Sequence, residues 1–185
     1  MIRTGRTAHQ AGFTLVEILV VVVIIGIAAA VIVPQISSRD DLKASAAARV
    51  IMSDLIYAQN RAITYQATHY VQFDVGNGRY TLLAAPGLTV LTHPVNKIDF
   101  VMQFGGTGPN GIPEATLQSA AFTGASATEQ TVLAFDELGT PMAYSIASGT
   151  SEAITSGSIV VRSGSYRLKI SVEPYTGQIS VAQVP

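Results

Sequence analysis

The sequence predicts an α+β protein, in which a long amino-terminal helix in two halves precedes an antiparallel β-sheet or a small β-sandwich. Three observations support this class. An almost uncharged apolar run covers residues 13–33. A series of apolar residues with helical spacing follows between residues 44 and 65. From His69 onward the pattern changes to the two-residue period of strands, so helices come first and strands follow.

The first twelve residues are mostly polar and contain Arg3 and Arg6. The run over residues 13–33 has 21 residues and a single charged one, Glu17. At about 1.5 Å per residue, a helix of this length reaches roughly 31 Å, close to the thickness of the hydrocarbon core of a bilayer. We therefore expect a transmembrane or filament-core helix over 13–33, with its basic start in the cytoplasm and the rest of the chain exported.

Glu17 is the unusual residue of this run. A carboxylate at the centre of a bilayer costs on the order of 2.5–3.5 kcal/mol on insertion scales, so it should have a specific partner. The expected partner belongs to another subunit. The alternative is a plain single-span anchor, in which Glu17 lies near the lipid headgroups.

The amino-terminal segment departs from an ordinary secretory signal in two ways. Such a signal has an apolar core of about 7–15 residues, followed by a cleavage site with small residues. Here the apolar run is longer, and the small residue, Gly12, precedes it. Cleavage after Gly12 would leave the apolar helix attached to the mature protein.

Residues 12–21, which read GFTLVEILVV, closely resemble the class III signal of type IV prepilins and type II secretion pseudopilins. The resemblance implies a leader over residues 1–12, cleavage by a prepilin peptidase between Gly12 and Phe13, and N-methylation of Phe13. It also implies that Glu17 acts in assembly by neutralising the new amino terminus of a neighbour. Pro34 matches the proline that often follows the membrane half of a pilin helix.

A second helical segment is predicted over residues 34–66. Its apolar residues recur at alternating spacings of four and three and therefore share one face: Ala44, Ala48, Ile51, Leu55, Ala58, Ala62 and Tyr65. The economical cover for this face is the chain's own β-domain, although filament neighbours could share it. Because Pro34 lacks an amide hydrogen, we expect a kink near Pro34, with a full stop between two separate helices as the alternative.

The β-domain is predicted over residues 67–185. Val71, Phe73 and Val75 alternate with polar residues, and the turn at 76–78 leads into a partner strand at 79–84, which indicates a β-hairpin. Seven to nine short strands are expected in all. The further segments lie at 88–92, 98–104, 131–135, 142–147, 158–162, 166–172 and 178–182.

Three later segments resemble the GspH/FimT type of pseudopilins and minor pilins. They are residues 57–63 (YAQNRAI), 135–141 (FDELGTP) and 174–179 (PYTGQI). Together with the amino-terminal signal, they imply a pilin-like fold.

Composition narrows the function classes. The chain has 185 residues, 48% of them hydrophobic, a net charge of −1 and no cysteine. Charge therefore gives no support for a nucleic-acid partner, and disulfide and thiol chemistry are excluded. A basic cluster of Arg162, Arg167 and Lys169 is expected to lie on a solvated sheet edge, with side chains that could not all share a face on one strand.

No catalytic residue, metal site or cofactor is predicted. Residues 106–111 satisfy the pattern G-x-G-x-x-G, but Pro113 spoils the helix that a phosphate site would need, so a loop is expected, with at most two helical turns after it. His69 and His93 are expected at solvent-facing or strand-end positions. The sequence has no second histidine at helical spacing and no cysteine that would complete a zinc site with either of them. Asp136 and Glu137 are expected to form an acidic turn, and whether calcium binds there is left open.

These observations predict a structural subunit of a type II secretion pseudopilus or a type IV pilus-like filament, and not an enzyme. The implied partners are other pilin or pseudopilin subunits, prepilin peptidase, the inner-membrane assembly platform and membrane lipid, with a secreted substrate as a further option. The implied location is the bacterial inner membrane, single-pass, with the β-domain outside. Two alternatives stay open: a minor pilin that binds DNA in natural transformation, and an anchored protein outside any filament.

Overall fold

The computed structural model describes residues 13–37 and 39–184, with only the backbone described for residues 31–37. The leader predicted over residues 1–12, including the predicted cleavage residue Gly12, lies outside the described residues. The chain divides into two compact units, with the boundary after Arg39.

The first unit contains helix α1, Leu15–Ser37. It continues through Pro34, and the second helix begins at Asp40, so the boundary between the helices lies after Ser37 rather than after Val33 as predicted. A proline removes only one helical hydrogen bond, and the bonds on either side of it can persist for another turn. The kink at Pro34 stays a prediction.

None of the helices in the described ranges is both long and apolar enough to cross a membrane. The membrane span expected over residues 13–33 stays a prediction.

The second unit consists of helix α2, Asp40–Tyr65, and the strands that follow it. The strands are β1 His69–Asp74, β2 Arg79–Ala84, β3 Thr89–Val90, β4 Val101–Phe104, β5 Gly111–Ile112, β6 Thr116–Gly124, β7 Glu129–Gln130, β8 Val132–Phe135, β9 Pro141–Ser145, β10 Thr150–Ser163, β11 Tyr166–Val172 and β12 Ile179–Val184. The predicted α+β class is confirmed, and all seven predicted strand segments beyond the hairpin overlap an observed strand.

The strands form one continuous sheet in the order β12-β11-β10-β9-β8-β1-β2-β4-β5, with β3 on β2, β6 on β10 and β7 on β6. The predicted hairpin is present as β1 and β2, in register from His69 opposite Ala84 to Asp74 opposite Arg79. All pairings are antiparallel except that of β4 with β5.

Strand β10 joins the two halves of the sheet. Its first residues pair with β9, and its remainder pairs with β6 on one side and β11 on the other. The change of partner coincides with a register shift between Ile154 and Ser156. Such an irregularity bends a strand and lets it continue into a second surface.

Helix α2 packs its predicted apolar face on this sheet. Ala44, Ile51, Leu55 and Ala58 are completely buried, whereas Tyr65 at the end of the series is 61% exposed. Alanines let the helix approach the strands closely, and the larger residues fill the space between β10, β11 and β1. The chain's own sheet thus covers the apolar face of α2.

Strand β6 was not predicted, because the segment after residue 113 was expected to form a loop with at most two helical turns. The reason is a shift in register: Val161 lies opposite Leu117, and Val160 lies opposite Ser119. The extra residue, Gln118, spaces the buried side chains of Leu117 and Ala120 by three and conceals the two-residue period.

Candidate functional site: the amino-terminal helix and its first turn

Between Leu15 and Ala30 the side chains of α1 form a surface that is apolar on all sides, apart from Glu17. Every valine, leucine, isoleucine and phenylalanine side chain between Phe13 and Ile27 is 47–81% exposed. A helix that is hydrophobic all round is stable in water only when other helices or a membrane cover it. The first unit therefore carries a large apolar surface that needs a partner.

Thr14 starts this helix as its N-cap. Its Oγ1 accepts a hydrogen bond from the backbone N–H of Glu17 at 3.2 Å, and its carbonyl oxygen accepts one from the N–H of Ile18 at 3.2 Å. Glu17 thus stands at the third helical position, the place of glutamate in a capping box. This cap was not predicted, although the spacing Thr-x-x-Glu is a sequence signal for it.

The position of Glu17 gives it a local electrostatic role. A carboxylate in the first turn interacts favourably with the helix dipole, typically by 0.3–1 kcal/mol at an exposed site. Glu17 is exposed, and the ion pairs found in the described part of the chain join other residues, Lys43 to Glu114 and Arg79 to Asp74. Its carboxylate is available to a positive charge from outside the chain.

The predicted cleavage point lies immediately before this turn. Phe13 and Thr14 precede the helix, and Phe13 is 78% exposed. Cleavage after Gly12 would therefore place a positively charged amino terminus just ahead of the N-cap. That charge would be unfavourable beside the positive end of the helix dipole, and a carboxylate in the first turn would offset it.

A second set of residues from the sequence analysis converges on Gln59 of α2. Its Nε2 donates to the carbonyl oxygen of Gly139 at 2.9 Å and to that of Thr176 at 3.3 Å. Segments 57–63, 135–141 and 174–179, which share the GspH/FimT resemblance, therefore meet at one glutamine. Beside it, Leu138 and Tyr175 at the tips of the two turns are each 81% exposed.

The two histidines that were considered as ligands are held by local contacts. His69 begins β1 but is only 3% exposed, and its Nδ1 lies 2.7 Å from the carbonyl oxygen of Ala67. His69 therefore has the strand-end position that was predicted as one of two options, and its burial lowers its pKa. His93 packs edge-on against Phe100, with ring centroids 4.4 Å apart, and burial lowers its pKa too.

The predicted acidic turn is present. Oδ1 of Asp136 accepts hydrogen bonds from the backbone N–H groups of Leu138 at 2.9 Å and Thr140 at 2.7 Å. The carboxylate therefore closes its own turn.

The three basic residues near the carboxyl end share one face of the sheet. Arg162 in β10 lies opposite Arg167 in β11, and Lys169 follows two residues later on β11. Side chains opposite each other in a ladder, and those two apart on a strand, point to the same side. The sequence analysis excluded a common face only if all three residues lay on one strand, and they lie on two paired strands.

Comparison with known proteins identifies the amino-terminal segment. Residues 7–33 match the family described as the prokaryotic N-terminal methylation motif. The type II secretion system core protein G of Escherichia coli K12 is 33% identical over 95 residues, which are 51% of this chain and 63% of that protein. Core protein G of Pseudomonas aeruginosa PAO1 is 69% identical over 33 residues, 18% of this chain and 23% of that protein.

Two solved structures are also similar to this chain. The minor pseudopilin EpsH of the Vibrio cholerae type 2 secretion system has a TM-score of 0.49 at 12% identity and covers 76% of this chain and 97% of its own. The type IV minor pilin FimU of Pseudomonas aeruginosa PAO1 has a TM-score of 0.44 at 17% identity, with coverage of 77% and 90%.

The matched regions cover less than two thirds of the length of both curated relatives. The match to the methylation motif includes the first turn and the apolar part of the helix that hold Phe13 and Glu17. Residues 7–33 of this chain thus carry the prokaryotic N-terminal methylation motif, and the chain is similar in sequence to type II secretion system core protein G.

Proposed function

We propose that this chain is a subunit of a type II secretion pseudopilus or a type IV pilus-like filament. The observation that carries the proposal is helix α1, whose apolar side chains are exposed on all sides from Phe13 to Ile27. An isolated chain in water cannot cover this surface. A filament core of parallel helices can, and so can the bilayer in which a subunit waits before assembly.

The precursor is proposed to be cut between Gly12 and Phe13 by a prepilin peptidase, with methylation of the new amino terminus. The helix start supports this site, because Thr14 caps α1 directly after Phe13. The cut would leave the whole apolar helix, with its cap, in the mature chain.

Glu17 is proposed to neutralise the amino terminus of a neighbouring subunit. The carboxylate is exposed and lies within the first turn, which is where a new amino terminus would appear on each chain. In an apolar filament core the two charges would attract more strongly than in water. Pairing between neighbours would also fix the axial register of their helices.

The proposed location is the inner membrane, with one span, the basic leader in the cytoplasm and the unit that starts at Asp40 outside. The bias of Arg3 and Arg6 to one flank of the apolar run supports this orientation. The assembly platform would draw the helix from the bilayer into the filament. The GspH/FimT type and a minor role stay predictions, since both sequence relatives are core protein G.

Mass spectrometry of the chain, expressed with and without a prepilin peptidase, tests the processing step. We expect a chain that begins at Phe13 and carries one methyl group when the peptidase is present, and an intact precursor without it. Gly12→Val is the matched variant and should stay uncut. A precursor that keeps residues 1–12 beside an active peptidase would overturn the processing proposal.

Substitutions of Glu17 test the assembly step and separate it from the local helix cap. Glu17→Gln keeps a side chain that suits the third helical position but removes the charge, whereas Glu17→Ala removes both. If the charge pairs with a neighbour, both variants should enter sheared filaments at least tenfold less than wild type. Processing should be unchanged.

The local alternative makes the opposite prediction for one variant. If Glu17 acts only through the hydrogen bonds of its own helix cap, Glu17→Gln should assemble like wild type, because a glutamine keeps the cap. Normal assembly of Glu17→Gln would therefore reject the intersubunit role. Crosslinking of a cysteine at position 17 that finds no neighbouring subunit would favour an anchored protein outside any filament.

A further inference from the structure

Strand β12 forms an open edge of the sheet. Within residues 39–184 it pairs only with β11, in a regular ladder from Ile179 opposite Val172 to Val184 opposite Arg167. Natural proteins usually blunt such an edge with charged residues, a proline, a bulge or a very short strand. Strand β12 is six residues long, has neither charge nor bulge, and its sequence meets a proline only after its end, at Pro185.

The backbone groups on this open edge can be assigned from the hydrogen-bond pattern. The N–H of Glu173 donates to the carbonyl oxygen of Gln178 at 2.9 Å, so this pair is a hydrogen-bonded one. In an antiparallel ladder the bonded pairs alternate with non-bonded pairs, whose N–H and C=O groups point away from each other. Ile179, Val181 and Gln183 therefore direct their backbone groups outward, toward an additional strand.

A groove lies beside this edge, between β12 and helix α2. It encloses about 300 Å³. Its lining residues come from the helix and from the last two strands: Ser45, Ala48, Arg49, Met52, Leu168 and Val181. The floor is largely apolar, and Arg49 is its single charged residue. A strand added to β12 would place every second side chain over this groove.

The charged side chains that line the groove or lie within β11 are all basic. Arg49 stands in the groove on the helix side, and Arg162, Arg167 and Lys169 lie together on the opposite face of β10 and β11. Neither β11 nor β12 contains an acidic residue. A second copy of this chain would bring the same cations to the pairing, whereas an acidic segment would bring complementary charge.

We propose that the β12 edge binds an extended, acidic segment of a partner protein by β-strand addition. The backbone ladder to Ile179, Val181 and Gln183 supplies the alignment. The apolar side chains of the segment, at every second position, fill the groove beside Met52. The acidic side chains between them point to the opposite face of the sheet, toward Arg167 and Lys169. This surface is formed by residues of the second unit only, so the proposal does not depend on the role of Glu17.

A direct test uses the peptide acetyl-Glu-Val-Glu-Val-Glu-Val-amide as the probe and the detergent-solubilised full chain. Isothermal titration calorimetry should detect one peptide per chain. The peptide in which every glutamate is replaced by lysine should bind at least tenfold more weakly, and so should the acidic peptide with all its amides N-methylated. Absence of binding by the acidic peptide, or equal binding of either control, would overturn the proposal.

Variants of the chain test the same edge from the other side. Val181→Pro removes an outward amide and breaks no existing ladder bond, whereas Val181→Ile keeps the amide and serves as the matched control. We expect at least a tenfold loss of affinity for the proline variant and none for the isoleucine variant. Circular dichroism checks that each variant is folded.

Lys169→Glu gives a result that does not depend on the backbone variant, because Lys169 lies on the face that the glutamates of the peptide would meet. The variant should bind the acidic peptide at least tenfold more weakly than wild type and should lose part of the preference for the acidic over the lysine peptide. If Lys169→Glu and Val181→Pro both bind the acidic peptide like wild type, the edge is not its site. If instead the chain dimerises and Val181→Pro abolishes the dimer while the peptide does not bind, the edge belongs to a second copy and the proposal fails.

Discussion

A buried hydrogen bond joins helix α2 to the centre of the sheet. The hydroxyl of Tyr80, which is completely buried, donates to Oδ2 of Asp54 at 2.6 Å. Burial raises the pKa of Asp54 from 3.8 to about 6, and the hydrogen bond from Tyr80 opposes part of that rise. Burial also raises the pKa of Tyr80, which keeps its proton. The pair ties the chain's stability to pH.

The direction of this pH dependence follows from the raised pKa of Asp54. Below pH 3.8 the carboxyl is protonated in both the folded and the unfolded chain. Between that pH and about 6 the unfolded chain releases the proton and the folded chain keeps it, so the free energy of unfolding falls as pH rises. The expected loss is on the order of 2–3 kcal/mol and is complete above the folded pKa.

Asp54→Asn isolates this contribution, because asparagine still accepts from Tyr80 and cannot ionise. We expect the free energy of unfolding of Asp54→Asn, minus that of wild type, to be about 2 kcal/mol larger at pH 7 than at pH 4. Urea unfolding of both proteins at both pH values measures this. Groups with lowered pKa, such as Asp74, titrate equally in both chains and cancel in the difference. A difference that does not change with pH would contradict the assignment.

A glycine at position 177 allows the turn between β11 and β12 to contact helix α2 closely. Its φ is +65°, and a Cβ there would lie 2.5 Å from Nε2 of Gln59. Gly149 has a similar φ of +69° but open space around it. Gly149→Ala should therefore cost about 1 kcal/mol of unfolding free energy from backbone strain alone. Gly177→Ala should cost roughly 2–3 kcal/mol, because the displaced amide of Gln59 also loses its two carbonyl partners.

A double-mutant cycle checks this account. With Gln59→Ala as the background, Gly177→Ala should cost only about 1 kcal/mol, like Gly149→Ala, since the obstructing amide is gone. Equal costs of Gly177→Ala in both backgrounds would show that the contact with Gln59 does not matter.

At the scale of elements, helix α2 separates its two faces sharply. Leu55 is completely buried, whereas the next residue, Ile56, is 41% exposed. We expect Leu55→Ala to lower the free energy of unfolding by about 2–5 kcal/mol and Ile56→Ala by less than about 1 kcal/mol. Denaturant unfolding of the two variants in parallel measures this, and similar losses would mean that the helix is rotated on the sheet.

The sequence predicted some elements better than others, for physical reasons. The face of α2 and the hairpin of β1 and β2 follow from local periods, and both are present. The period of β6 is interrupted by the extra residue Gln118, and the first half of β10 is rich in serine and threonine and resembles a loop. Long-range pairing decides these strands, and a local pattern does not record it.

Some residues of the candidate site could likewise be predicted from the sequence, and others could not. Phe13 and Glu17 could be singled out from the sequence because a charge in an apolar run is conspicuous. The meeting of Gly139 and Thr176 at Gln59 could not, because it joins residues about eighty and over one hundred positions apart. The same holds for the common face of Arg162 and Arg167, which depends on the register of a hairpin.

At the scale of the whole molecule, the hydrophobic core belongs to the second unit alone. Its buried residues run from Ala44 to Val172, and α1 contributes none among the described residues. The role in membrane and filament that we propose for the amino-terminal unit therefore makes no use of this core. This division also explains why the apolar surface of α1 and the open edge of β12 can be tested independently.

A chain shortened to residues 38–185 should consequently keep its fold. We expect cooperative urea unfolding with a free energy within about 0.5 kcal/mol of that of the full chain in detergent, because the buried core residues of the described part of the chain all lie after residue 39. A chain shortened to residues 56–185 is the control. It lacks Ala44, Ile51 and Leu55, so the sheet loses much of its cover and the cooperative transition should disappear. If the longer truncation product also unfolds without cooperativity, the first unit supports the core, and experiments on α1 and on β12 could no longer be interpreted separately.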